Sequence, residues 1–438
     1  MRLAARALGL LPSGTILVGA GLAVLGAGSF AQLAIGGHTL STAGMAAMSV
    51  LWSIVFWAGL GVFLPVEQEL IRLVAARHAT GEGILPVVRQ AAAAAGVILA
   101  ATLVPFAVAA RPLADALFGG DIAMVAALAA ALLSLAVTCV SRGVLAGLGR
   151  FTAYGSQLAI DGGLRIALAC ALGVAGLRSP AAFGLTVAVA PLLAAACTLT
   201  PLLRDLRPGP AASWRVMCRG LALLIGTMLL AQLILNVAVI NVRLLSPGDP
   251  AVAGALLAAM VLGRVPLFVF TSLQVSLLPG LAGAIAAGDR ARFRQLAARG
   301  GAVAAALGIC GGVPAVILGP WLIRLLFAAR PVLGHADFAW LASGTLCYLL
   351  AMVLGQSAMA LSRHRDQLAA WLAGAVVLVA VTLGPGQVTR RVEIAFALSS
   401  LTAAVVLTLG LFLRTSRPGA AAAAAVPARG SQAGHVAR

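Results

Sequence analysis

Apolar residues along this chain come in long unbroken blocks, and polar residues gather in the short breaks between them. Twelve blocks stand out, near 13–35, 43–65, 88–110, 121–143, 152–176, 181–203, 218–242, 251–278, 299–327, 338–361, 367–385 and 392–413. A helix needs about 20 residues to cross a hydrocarbon layer of about 30 Å, and most of the blocks reach that length. The pattern predicts an all-α integral membrane protein with twelve transmembrane helices. The breaks leave no room for an extramembrane domain.

The blocks also echo one another. "FLPVEQELIRLVAARHATGEG" after the second block resembles "LLPGLAGAIAAGDRARFRQLAARGG" after the eighth, with Pro65 and Pro279 as anchors. "RPLADALF" resembles "GPWLIRLLF", and "LAGLGRFTAYGSQLA" resembles "MALSRHRDQLAAWLA". Three echoes in order at a near-constant offset predict a duplicated six-helix unit. Six is even, so the two lobes share an orientation. A pseudo-two-fold axis along the membrane normal would relate them, with a site at their interface. The expected division is an N-terminal lobe over 1–207, a linker over 208–217, a C-terminal lobe over 218–414 and a disordered tail over 415–438.

Composition agrees: 62% of residues are hydrophobic and 10% are charged. A soluble chain of 438 residues could not hide that much apolar surface. The formal charge of +18 comes wholly from arginine, with no lysine. It does not point to nucleic acid, since no basic patch is interleaved with aromatics. Placing the N-terminus in the cytoplasm puts 21 arginines in inside segments and 7 in outside ones, which predicts cytoplasmic termini in a bacterial plasma membrane. The first block runs past Gly28, so an uncleaved first span is favoured over a signal peptide. The six cysteines are scattered through apolar blocks with no metal or disulfide spacing, and read as buried inert thiols.

Two arginines fall well inside blocks, away from the ends that run into connections. Arg264 lies near the middle of the eighth, and a charge there costs about 2.5–3.5 kcal/mol unless it faces protein or water. It is either an anion contact in a central cavity or a packing partner for another helix. Pro266 beside it removes a backbone donor and predicts a bend. In the fifth block Gln157, Asp161 and Arg165 recur every four residues, so they share one helix face with Tyr154. That stripe is either a cavity lining, with Asp161 a candidate for the coupling ion, or a self-neutralising pair. In the seventh block Gln232, Asn236 and Arg243 share a face. Amides there read sugar hydroxyls or bond between helices, and the latter is commoner. Gln32, Gln274 and Gln356 are weaker single amides. Residues 66–78 look amphipathic, with Glu67, Glu69, Arg72 and Arg77 opposite an apolar face, and read as a solvated interfacial helix. No enzyme motif, metal-ligand spacing or cofactor fingerprint appears.

The segment "GRVPLFVFTSLQVSLLPGLAGAIAAGDRARFR" (263–294), together with residues 63–83, resembles the multidrug/oligosaccharidyl-lipid/polysaccharide (MOP) flippase superfamily, in particular actinobacterial polysaccharide-biosynthesis flippases. The resemblance covers all twelve blocks and excludes the tail. It implies alternating access by two lobes around a cationic cavity, moving a polyprenyl-pyrophosphate-linked oligosaccharide to the outer leaflet. It also implies a substrate contact at Arg264, in the position of a cavity arginine of lipid II flippases. Those proteins carry further arginines in their first two helices and two extra C-terminal helices, which this chain lacks. A general oligosaccharide flippase therefore fits better. Arg264, Arg165, Gln157, Asn236 and Gln232 would bind substrate, with a cavity charge near +1 once Asp161 is counted. The implied partners are the lipid-linked glycan, membrane lipid, and glycosyltransferases or a polymerase of the same pathway. Two other readings stand beside it: a small-molecule exporter, such as a drug–cation antiporter using Asp161, and a non-transporting scaffold of envelope synthesis.

Overall fold

A computed structural model describes residues 14–198, 203, 205–245, 265–327, 333–385 and 387–415. Among the described residues every element is helical. The first half contains α1 (Thr15–Thr39), α2 (Thr42–Ala58), α3 (Leu64–Ala79), α4 (Leu85–Val108), α5 (Ala110–Phe118), α6 (Ile122–Gly147), α7 (Phe151–Val174) and α8 (Pro180–Cys197). The second contains α9 (Trp214–Leu245), α10 (Val265–Ala286), α11 (Arg290–Phe327), α12 (His335–Ala360), α13 (His364–Thr382) and α14 (Val388–Thr415). Among the described residues, eleven helices are long and apolar enough to cross a membrane. The remaining predicted span, 251–278, is described only from Val265 onward, within α10.

Helix ends follow local chemistry. Ser41, Asp121 and Ser179 cap α2, α6 and α8 by accepting from backbone N–H groups of Gly44, Ala123 and Ala182. Pro65, Pro86 and Pro180 sit in the first turns of α3, α4 and α8, where a missing N–H costs nothing. Gly149, with φ of +70°, lets the chain reverse between α6 and α7.

Several predicted features come out differently. The second span does not end near residue 65. A π-helical turn, Gly59–Phe63, joins α2 to α3, and the helix continues to Ala79. Residues 66–78 are therefore not a solvated interfacial helix. Glu67, Glu69 and Arg72 are buried, because α3 packs against α10 and α9 of the other half as well as against α6. The fourth span runs to Gly147 and not to 143, so Arg142, one of the 21 arginines assigned to inside segments, lies within the helix and not in a connection. Of the cysteines only Cys139 is buried; Cys347 is half-buried, and Cys170, Cys197, Cys218 and Cys310 are exposed. The "RPLADALF" echo forms the separate short helix α5, while "GPWLIRLLF" continues α11 without a break.

Glycine sets the tightest packing. Gly21 and Gly28 of α1 meet the carbonyls of Gly155 and Gly162 of α7, and those two glycines in turn meet the backbone of Leu17 and Val24. Two backbones this close leave no space for a Cβ on either helix, which is how small residues let helices associate in lipid. On α6, Gly143 and Gly147 receive Leu70 and Val74 of α3.

One end of the bundle, the arginine-rich end, gathers the α3–α4, α6–α7, α10–α11 and α12–α13 turns together with the linker between the halves. The linker is fastened to the first half there. Arg77 donates to the carbonyls of Gly83 and Pro210, Gln90 donates to that of Ala212, and Arg150 pairs with Asp205 at 2.6 Å. The larger apolar core fills the first half and continues into the second through Leu273, Leu277 and Leu281 of α10. A smaller core around Trp371, Phe338 and Tyr348 holds the rest of the second half.

Candidate functional site

Helix α7 presents two faces. Gly155 and Gly162 lie against α1, and about a quarter turn away Tyr154, Gln157, Asp161 and Arg165 look toward α6 and α3. The close glycine contact fixes α7, and the polar stripe follows from its periodicity. Asp161 is almost fully buried. Its Oδ1 accepts from Arg165 Nε at 2.8 Å and its Oδ2 from Arg142 Nη2 at 3.2 Å. Gln157 donates to Ser141 of α6 at 2.9 Å, and Tyr154 donates its hydroxyl to Glu67 of α3 at 2.8 Å. From Tyr154 to Arg165 the stripe covers about 16 Å along the helix axis at 1.5 Å per residue, roughly half a hydrocarbon layer.

The donors and acceptors in this stripe are unevenly matched. Each guanidinium gives Asp161 one contact, and Arg142 Nε is buried with no partner among the described residues. An arginine carries five N–H donors, so two arginines on one carboxylate leave most of their capacity free. Both side chains keep a little exposure, 14% for Arg142 and 10% for Arg165. The carboxylate, by contrast, has both oxygens engaged.

A second buried polar cluster lies where α3 meets the second half, at the arginine-rich end. Arg72 grips Glu69 with two contacts, at 2.9 and 2.5 Å, and donates a third to Ser362 in the α12–α13 turn at 2.8 Å. His364, at the start of α13, places Nε2 3.6 Å from Glu69. Gly220 of α9 closes over the same carboxylate, where a Cβ would stand 2.8 Å from its oxygen.

The structure thus brings Gln157, Asp161 and Arg165 together and adds Arg142, Ser141, Tyr154 and Glu67. Arg264 lies outside the described residues, and so does the stretch in which Pro266 would bend its helix. Pro266 itself is buried against Gly311 of α11. Asn236 and Arg243 belong to α9, but their side chains lie outside the described residues. Gln232 is half-buried on α9, in the other half of the molecule. Gln32 is a helix-to-helix amide, donating to Thr186 and to the Phe183 carbonyl of α8. Arg142 could have been found from "LAGLGRF": the Gly-Arg turn at 149–150 marks the true end of the helix and leaves Arg142 inside it. Nothing in the sequence pattern distinguishes Glu67, Glu69, Arg72 or His364 from loop and interface charges.

No protein-family model matches the chain. Among curated proteins it resembles "Uncharacterized protein Rv1510" of Mycobacterium tuberculosis, with 30% identity over 261 residues, 58% of each chain. It also resembles "Uncharacterized protein Mb3654" of Mycobacterium bovis, with 27% identity over 259 residues, 58% of each chain. The match thus spans little more than half the length of these relatives. Among solved structures it resembles a MOP superfamily transporter from Pyrococcus furiosus, described by the reverse polarity of its binding pocket, with a TM-score of 0.77, 14% identity, and coverage of 94% of this chain and 95% of that one. An outward-facing multidrug resistance MATE family transporter gives a TM-score of 0.75 at 14% identity, covering 94% of this chain and 95% of that one. A mutant of the Vibrio cholerae MATE transporter VcmN gives 0.78 at 14%, covering 92% and 96%. The chain therefore has the MOP superfamily fold.

Proposed function

We propose that this protein is a bacterial plasma-membrane flippase that moves a polyprenyl-pyrophosphate-linked oligosaccharide to the outer leaflet by alternating access of two lobes. The arginine-rich end is cytoplasmic and both termini lie there. Enzymes that assemble or polymerise the glycan are its pathway partners. The observation that supports this reading is the pair Arg142 and Arg165 sharing Asp161, with guanidinium donors left over inside the membrane. A pyrophosphate headgroup carries several acceptors and at least two charges, and it suits such uncommitted planar donors. Arg264 would add a third from the opposite lobe. Gln157, Gln232 and Asn236 would meet sugar hydroxyls. The Pyrococcus furiosus transporter with reversed pocket polarity offers a precedent in this fold for a pocket charged differently from its relatives.

A cation antiporter fits the same site poorly. Asp161 is the only carboxylate predicted for that role, and two arginines already occupy its oxygens. The test is flipping of a pyrophosphate-linked oligosaccharide in vesicles containing the purified protein, read by a membrane-impermeant glycan probe. A charge-assisted hydrogen bond is worth about 1.5–3 kcal/mol, so Arg142→Ala, Arg165→Ala and Arg264→Ala should each slow flipping by about tenfold or more. Unchanged rates in all three would sink the reading.

A further inference from the structure

The Glu69–Arg72–His364 cluster is separate from the polar stripe of α7, and it buries three titratable side chains at the contact between the halves. Glu69 is 0% exposed and His364 6%. Glu69 and Arg72 belong to α3, whereas His364 and Ser362 belong to the second half. The cluster therefore exists only while the arginine-rich end is closed.

Its charges already balance without a proton on His364. Arg72 holds both oxygens of Glu69. The nearest approach of the imidazole, 3.6 Å, is longer than a hydrogen bond. His364 Nδ1 is buried with no partner among the described residues. An imidazolium has two N–H donors. One could move toward Glu69, but the other would face no acceptor, and an unsatisfied buried charged donor costs more than a neutral one. The other charges around His364 do not relieve this. On its own helix, Asp366 is engaged by Arg363, which also reaches the Gly410 carbonyl of α14. From α9 the neighbour is Gly220, while Arg215 and Arg219 are exposed. The α12–α13 turn offers the Ser362 hydroxyl, which accepts from Arg72.

We propose that His364 is a proton-binding site whose occupancy opens the arginine-rich end. The closed interface accepts only the neutral imidazole, and opening releases the ring to water, where it takes a proton. A ligand that binds one of two states shifts the equilibrium toward that state, so protons and closure compete. In an exporter this has a use: proton binding returns the molecule to the state that loads substrate from the cytoplasm. The inference rests on the alternating-access reading above.

The test uses the full chain in lipid nanodiscs without substrate, its six native cysteines replaced. Spin labels at His78→Cys and Ala291→Cys, both exposed, report the distance between the halves at this end. An exposed imidazole titrates near pH 6.5, at about one proton per site. Lowering the pH from about 8 to about 5.5 should raise the open population about tenfold in wild type. His364→Gln should stay closed at both pH values and His364→Arg should be open at both. A wild-type distance indifferent to pH, a persisting shift in His364→Gln, or a closed His364→Arg overturns the proposal. Glu69→Ala breaks the closed cluster directly. If it opens while wild type ignores pH, only the proton site fails. If even Glu69→Ala leaves the distance fixed, alternating access fails with it.

Discussion

Asp161 matters because it is outnumbered: two guanidiniums lie against one carboxylate inside the membrane, and removing the carboxylate leaves two buried like charges facing each other. Breaking a buried pair from one side costs about 3–5 kcal/mol, so Asp161→Ala should unfold earlier in detergent melts than Arg165→Ala. An Asp161→Ala protein as stable as the Arg165→Ala protein would show that water already compensates these charges. Tyr154 makes a smaller but cleaner case. Tyr154→Phe removes the donor to Glu67 without changing shape, leaving a buried carboxylate short of one bond. The expected loss is about 1–3 kcal/mol, and Glu67→Gln, which no longer holds a charge at that spot, should recover part of it in the double variant. The α7 stripe itself was legible, because Gln157, Asp161 and Arg165 recur at the helical period. The pairing of Arg142 with Asp161 and of Glu67 with Tyr154 was not, because a helical period shows which residues share a face and not which helix lies opposite.

At the scale of elements the same limit recurs. Apolar block length predicts the existence of the eleven spans found among the described residues, though not all their ends, since membrane thickness is a constraint within one segment. Which helices touch is decided by surfaces from distant segments, and only small residues hint at it. The glycines of α1 are the instructive case: Gly21 and Gly28 face the backbone of α7, while Gly26 faces nothing within 4 Å. Their sequence context does not separate them. The continuation of the second span through the π-helical turn into α3 was hidden for another reason. Charged residues at 67, 69 and 72 break the hydropathy signal, although all three are buried. Two adjacent glycines of α7 give a sharp test. A Cβ on Gly162 would stand 2.5 Å from the Val24 carbonyl oxygen, whereas a Cβ on Gly163 meets nothing within 4 Å. Gly162→Ala should therefore lower stability by at least about 1–3 kcal/mol, as overpacking does. Gly163→Ala should be neutral or gain up to about 1 kcal/mol from helix propensity. Thermal melts of the two proteins side by side decide it, and equal behaviour would refute the close α1–α7 packing.

The whole molecule is held shut at its arginine-rich end by contacts between α3 and α10, the two helices that carry the paired anchors Pro65 and Pro279. Their meeting is what a duplicated unit predicts, since equivalent helices face each other across the axis that relates the halves. The contact also gives a way to stop the lobes from moving. A Cβ placed on Gly283 of α10 lies 3.8 Å from the Cβ of Ala79 in α3. Disulfides form across Cβ–Cβ distances of about 3.5–4.5 Å. In a background without the native cysteines, Ala79→Cys combined with Gly283→Cys should cross-link on mild oxidation without distorting either helix. If transport requires this end to open, the oxidised protein should lose nearly all flipping and a reductant should restore it. Each single variant should work at the normal rate under both conditions, because a small side chain at Gly283 displaces nothing. The cross-link also separates two kinds of transport-dead protein: one frozen shut recovers with reductant, while one lacking Arg142 or Arg165 does not. Full flipping by the cross-linked protein would mean that substrate passes without parting α3 from α10, and the two-lobe mechanism would have to give way to a path along the outside of a single half.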